Sequence, residues 1–192
     1  MKYKIMMIVI FFLFMAAVPL SFVINNTGTS SYQQQTSEKL EEKPDEKEII
    51  LRTASLCRDD FSDEAIKAAA IICRTNAVSG KSYGSDDNNN SSLELYKRVE
   101  GIYNSNSEIL CNNGEPVPVP CSLCSDGSTV KSGDYPYLEA VASPWDAFSE
   151  LYDSKSECTG VSLNGVSYLC GKGLSAEEAL LWYLPKLEIK PV

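Results

Sequence analysis

From Ala65 to Cys73 every position but Lys67 is Ala, Ile or Cys. This pattern predicts a helix over about residues 62–78 that is apolar on most of its faces. Asp63, Lys67 and Arg74 fall on one narrow wet stripe at helical spacing, with Glu64 beside it. Ser62 or Asp60 can cap the first turn, and Ser79-Gly80 breaks the last. A helix with so little polar surface belongs at the centre of a domain. Ile49–Leu56, just upstream, reads as a strand or a short helix. Leu93–Tyr103 begins helical and ends extended. Asn112-Asn-Gly114 lies between Ser107–Cys111 and Glu115–Pro120, which is a strong hairpin signal. The three prolines of the second arm place it at a sheet edge. Val161–Leu169 reads as a second hairpin around Asn164-Gly165. A closing helix starts at Ser175, carries Glu177 and Glu178 in its first turn and stops at Pro185. The fold class is α+β: one small domain with a central buried helix packed on short antiparallel strands.

The two ends of the pattern differ in kind. Lys2 and Lys4 precede a run from Ile5 to Ile24 that is apolar apart from Pro19 and Ser21. About twenty such residues suffice to cross a bilayer, and the basic flank keeps the N-terminus cytoplasmic. Residues 1–24 are therefore expected to be a transmembrane anchor, the alternative being a signal peptide cleaved near Ala16 and Ala17. Residues 25–48 are polar and then densely charged, as in a disordered linker. Residues 49–192 form the domain, expected outside the cytoplasmic membrane. A second polar tract, Gly84–Ser92, reads as a loop.

Charge narrows the chemistry. The 192 residues carry a net charge of −9 and no histidine. The acidity argues against nucleic-acid phosphate as a partner. The missing histidine rules out Ser-His-Asp and Cys-His sites within the chain. Seven cysteines stand at 57, 73, 111, 121, 124, 158 and 170. Cys121-x-x-Cys124 with Cys111 upstream has the spacing of a metal knuckle. Structural zinc, disulfides and plain thiols are all open readings of this set, and no cofactor is expected.

Four stretches in order resemble the stage II sporulation protein D family and the related amidase-enhancer proteins. They are Ala65–Asn76, Ser125-Asp-Gly-Ser-Thr129, Pro136-Tyr-Leu138 with Ser143-Pro-Trp145, and Ala176–Pro185. The resemblance spans about residues 49–190. It implies a lytic transglycosylase fold acting on the glycan strands of peptidoglycan during engulfment, beside stage II sporulation proteins P and M. Such chemistry needs a protonated carboxyl to donate to the glycosidic oxygen. The resemblance places that acid at Leu56, or at Cys57 if the register slips, and neither can serve. Asp59, Asp60 and Glu64 are the candidates for a displaced acid, and Asp59 and Asp60 also suit a helix cap. The family's glycine-rich segment with its histidine is missing or shortened between Tyr168 and Gly173. Arg74, Ser125, Thr129 and Tyr137 are the candidates for lining a glycan groove. Tyr137 and Trp145 suit stacking on sugar rings or packing in the core. The expectation is a degenerate, membrane-anchored member that binds glycan or acts as a scaffold without cutting. Its rivals are an active transglycosylase and a purely structural domain.

Overall fold

The computed structural model describes residues 45–81, 91–154 and 157–192. The expected membrane anchor over residues 1–24, the linker up to residue 44 and most of the polar tract at 84–92 lie outside the described residues. Among the described residues, no helix is long and apolar enough to cross a membrane.

Among the described residues, five helices and a small antiparallel sheet make an α+β fold. The helices are α1 (Glu46–Leu56), α2 (Asp63–Val78), α3 (Leu93–Asn104), α4 (Leu163–Gly171) and α5 (Ala176–Tyr183). The strands are β1 (Glu108–Asn112), β2 (Glu115–Pro116), β3 (Cys121–Ser122), β4 (Thr129–Val130), β5 (Cys158–Thr159), β6 (Val161–Ser162) and β7 (Glu188–Pro191). The sheet runs β2-β1-β7 and is antiparallel throughout. Two further pairs, β3 with β6 and β4 with β5, are parallel, which the expectation of antiparallel strands did not include.

The central helix is α2, capped by Ser62, whose hydroxyl accepts from the Ala65 N–H. The other four described helices and β1 pack against it, and from Ala65 to Asn76 only Lys67 is not buried. The expected wet stripe is therefore shorter than the sequence suggests. Arg74 is only 8 % exposed. Its guanidinium lies 3.9 Å from the centre of the Tyr103 ring and donates to the Tyr103 carbonyl and to Asn106 Oδ1. A delocalised, weakly hydrated cation tolerates such a position where a lysine would not.

The next two residues also look inward. Thr75 Oγ1 accepts from the Leu110 N–H at 2.9 Å. Asn76 takes both backbone groups of Val119, accepting from its N–H at 2.7 Å and donating to its carbonyl at 3.0 Å. An amide side chain thus replaces the missing strand partner of a proline-rich segment that cannot build a ladder. The Arg74-Thr75-Asn76 triplet joins α2 to three later parts of the chain.

Local signals explain the rest. Ile49–Leu56 belongs to a helix that starts at Glu46 and takes in the last three residues of the expected linker. Leu93–Asn104 stays helical to its end, with Ser92 as cap. Asn113 and Gly114 have φ of 52° and 87°, as a two-residue hairpin of primed type requires, and β2 lies at the sheet edge. Ser175 and Glu178 form a reciprocal capping box on α5. The hairpin expected around Asn164-Gly165 is replaced by α4. Ser162 caps α4, and Gly165 is needed for contact with α5 rather than for a turn.

Candidate functional site

The connection between α1 and α2 bounds a cleft of about 520 Å³, lined by Cys57, Arg58, Asp59, Asp60, Ser92 and Leu95 among others. Leu56, at the position expected for an acid, is 4 % exposed and belongs to the hydrophobic core. Cys57 reaches the cleft instead. Burial and the nearby Cys73 thiol push its pKa up, against the pull of Arg98, so it stays a neutral thiol. Asp60 accepts from Arg58 through both oxygens, from Nε at 3.0 Å and from Nη2 at 2.9 Å. Asp59 accepts from the Ser92 hydroxyl at 2.8 Å. Asp60 thus has both oxygens taken by Arg58, and Asp59 has one taken by Ser92. Glu64 is engaged elsewhere, accepting from the Ala176 N–H at the start of α5.

The four candidates for a glycan groove are all buried: Arg74, Ser125, Thr129 and Tyr137. Their polar atoms are used inside the fold. Arg74 serves Tyr103 and Asn106 as described. Thr129 Oγ1 donates to the Glu139 carbonyl and accepts from the Val141 N–H. The Tyr137 hydroxyl donates to the Pro118 carbonyl at 2.6 Å, and burial pushes its pKa up to about 12.

Ser125 leads to a buried network that the sequence reading missed. Asp146, in a 3-10 turn at Pro144–Phe148, has no exposed surface. Its Oδ2 accepts from the Ser125 N–H, the Ser125 hydroxyl at 2.5 Å and the Ser143 hydroxyl at 2.8 Å. Its Oδ1 accepts from Asn164 Nδ2 at 2.9 Å. Since Ser143 spends its proton on Asp146, the Tyr183 hydroxyl must donate to Ser143 Oγ across their 2.6 Å contact. Tyr183 in turn accepts from Trp145 Nε1 at 3.1 Å. Burial drives the Tyr183 pKa up, which keeps the proton this chain needs. The relay Trp145→Tyr183→Ser143→Asp146 joins two of the stretches that carry the resemblance, and Ser125 on Asp146 adds a third. One local signal pointed to it: Ser143 and Asp146 have the Ser-x-x-acid spacing of a helix start. The partners Asn164 and Tyr183 had none.

No disulfide joins any of the seven cysteines, and all are buried except the half-buried Cys121. Among the described residues no cluster of three or more His, Cys, Asp or Glu side chains could hold a metal, so Cys111, Cys121 and Cys124 do not form the knuckle their spacing suggests. Cys111 lies in β1, away in sequence and sheet from the β3 segment that carries Cys121. Burial raises the Cys73, Cys158 and Cys170 thiols to about 11.

Compared with known proteins, the chain matches no family model and no curated sequence.

Proposed function

We propose that this is a membrane-anchored, cell-wall-facing protein of the stage II sporulation protein D type, which holds peptidoglycan glycan strands without cutting them. Its anchor is the apolar run at residues 1–24, with the N-terminus cytoplasmic. It works at engulfment, in a complex of the kind formed by stage II sporulation proteins P and M. One observation carries the non-cutting part of the reading. Where the resemblance expects the acid, Leu56 is sealed in the core, and of the carboxylates that follow it Asp60 is bound through both oxygens by Arg58. Three of the four motif stretches also support the resemblance by meeting in one network around Asp146.

The cleft beside Asp59 favours a second reading, an active transglycosylase with a displaced acid. Purified protein incubated with intact peptidoglycan separates the two. The proposal expects retention on the polymer and no release of anhydro-muropeptides. Release that disappears in Asp59→Asn or Asp60→Asn would establish the second reading.

A further inference from the structure

Resting on the glycan-binding reading above, we infer that the glycan contact is an aromatic platform of Trp182, Tyr168 and Trp145, remote in sequence from the α1–α2 cleft. Tyr168 on α4 and Trp182 on α5 are 43 % and 48 % exposed. A soluble surface normally covers such rings or uses them. Trp145, from the 3-10 turn, joins them. Its ring is nearly parallel to Tyr168, at 7° and 5.2 Å between centres, and tilted 55° to Trp182 at 5.8 Å.

Three features select a sugar ring as the occupant. First, both indole N–H groups point into the protein, Trp145 to the Tyr183 hydroxyl and Trp182 to the Ala142 carbonyl at 3.4 Å. The two indoles therefore offer carbon edges and uncovered π faces without a free donor, and the Tyr168 hydroxyl adds one polar group beside them. The C–H face of a pyranose matches that surface, because the negative π face attracts polarised C–H bonds. Second, the same hydrogen bonds fix the two indole planes, so little of their side-chain freedom is lost on binding. Third, Lys172 Nζ stands over the Tyr168 ring, 5.2 Å from its centre. It can donate to hydroxyl or carboxyl oxygens at the edge of a stacked sugar. With a net charge of −9 the chain is repelled by anionic lipid headgroups, the other surface that attracts exposed aromatics. A neutral N-acetylated sugar meets no such repulsion.

The test uses the full-length protein in detergent micelles. Retention on purified peptidoglycan sacculi is measured, together with the change in tryptophan fluorescence on adding N-acetylglucosamine tetramer. The wild type should be retained and its emission should shift. Trp182→Ala and Tyr168→Ala should each weaken both signals about tenfold, the scale seen when a stacking ring is removed. Their thermal midpoints should stay close to wild type, since both rings are half in solvent. Trp182→Phe, which keeps a ring, should recover most of the binding. Phe148→Ala, at a 90 % exposed ring outside the platform, should leave binding unchanged. Wild-type retention that survives both alanine variants would overturn the platform and leave glycan binding intact. No wild-type retention at all would overturn the glycan reading and the platform with it. Flotation with phosphatidylglycerol vesicles that is lost in the two variants, without sacculus retention, would reassign the rings to a membrane.

Discussion

Gly165→Ala should destabilise this protein, although glycine to alanine in a helix ordinarily does the opposite. The substitution would gain up to about 1 kcal/mol of helix propensity. A Cβ at position 165 would lie 1.8 Å from the Tyr183 hydroxyl and 2.7 Å from both Ser143 Oγ and Trp145 Nε1. No rotation of the alanine relieves this, so Tyr183 must move and α4 must separate from α5. Two hydrogen bonds at the Tyr183 hydroxyl are then lost, worth roughly 1 kcal/mol each. Overpacking adds about 1–3 kcal/mol. Set against the gain, the net loss is about 2–4 kcal/mol. For a domain of this size that lowers the thermal midpoint by roughly 4–16 °C. Thermal unfolding followed by circular dichroism reads it directly. The double variant Gly165→Ala with Tyr183→Phe removes the atom in closest conflict, so its loss should be smaller than the sum of the two single losses. An unchanged or raised midpoint for Gly165→Ala, or strict additivity in the double variant, would refute the account of the α4–α5 contact.

Gly101 is the control. It is exposed in α3 with nothing within 4 Å of a Cβ, so Gly101→Ala should raise stability by about 1 kcal/mol in the same melt. Asp146→Ala should cost roughly 3 kcal/mol or more, because Ser125 and Ser143 would be left with buried, unpaired donors and the half-buried Asn164 would lose its partner; urea titration measures it. Lys67 bridges Glu108, at 3.1 Å, and Glu177. Burial pushes the Glu177 carboxyl up, but hydrogen bonds from Lys67, its own backbone and Ser175, with the Lys67 charge, outweigh this and hold it at about 2, against an ordinary 4.5. A carboxyl lowered on folding stabilises above its unfolded pKa and loses that contribution as pH falls through the folded one. The midpoint should therefore drop between about pH 4.5 and 2, and Glu177→Gln should start lower at pH 7 and fall less steeply.

The sequence was readable where one local signal decides the structure. Ala65–Cys73 could only be a buried helix, Asn113-Gly114 supplied the two positive φ angles of its turn, and Ser175 met Glu178 three residues on. It misled where the same residues serve a distant neighbour. Asn164-Gly165 resembles the first turn, yet Asn164 is bonded to Asp146 and Gly165 makes room for Tyr183. Arg74 has the position of a charge at a helix end, and only its stacking on Tyr103 reveals that it is inside. Ile49–Leu56 carried both strand and helix character, and packing against α2 and α3 made it a helix. The groove candidates failed to form an open surface for the same reason. Ser125, Thr129 and Tyr137 are polar residues whose partners are backbone and carboxylate groups far along the chain. The exposed aromatics had no periodic signal, because Trp145, Tyr168 and Trp182 come from three separate elements.

The central claim is binding without cleavage. Its most direct test follows one sample of full-length protein on radiolabelled sacculi, counting bound protein and soluble anhydro-muropeptides together over time. The account predicts a stable bound fraction and no soluble product above the protein-free control. Soluble product accumulating in proportion to bound protein would contradict it.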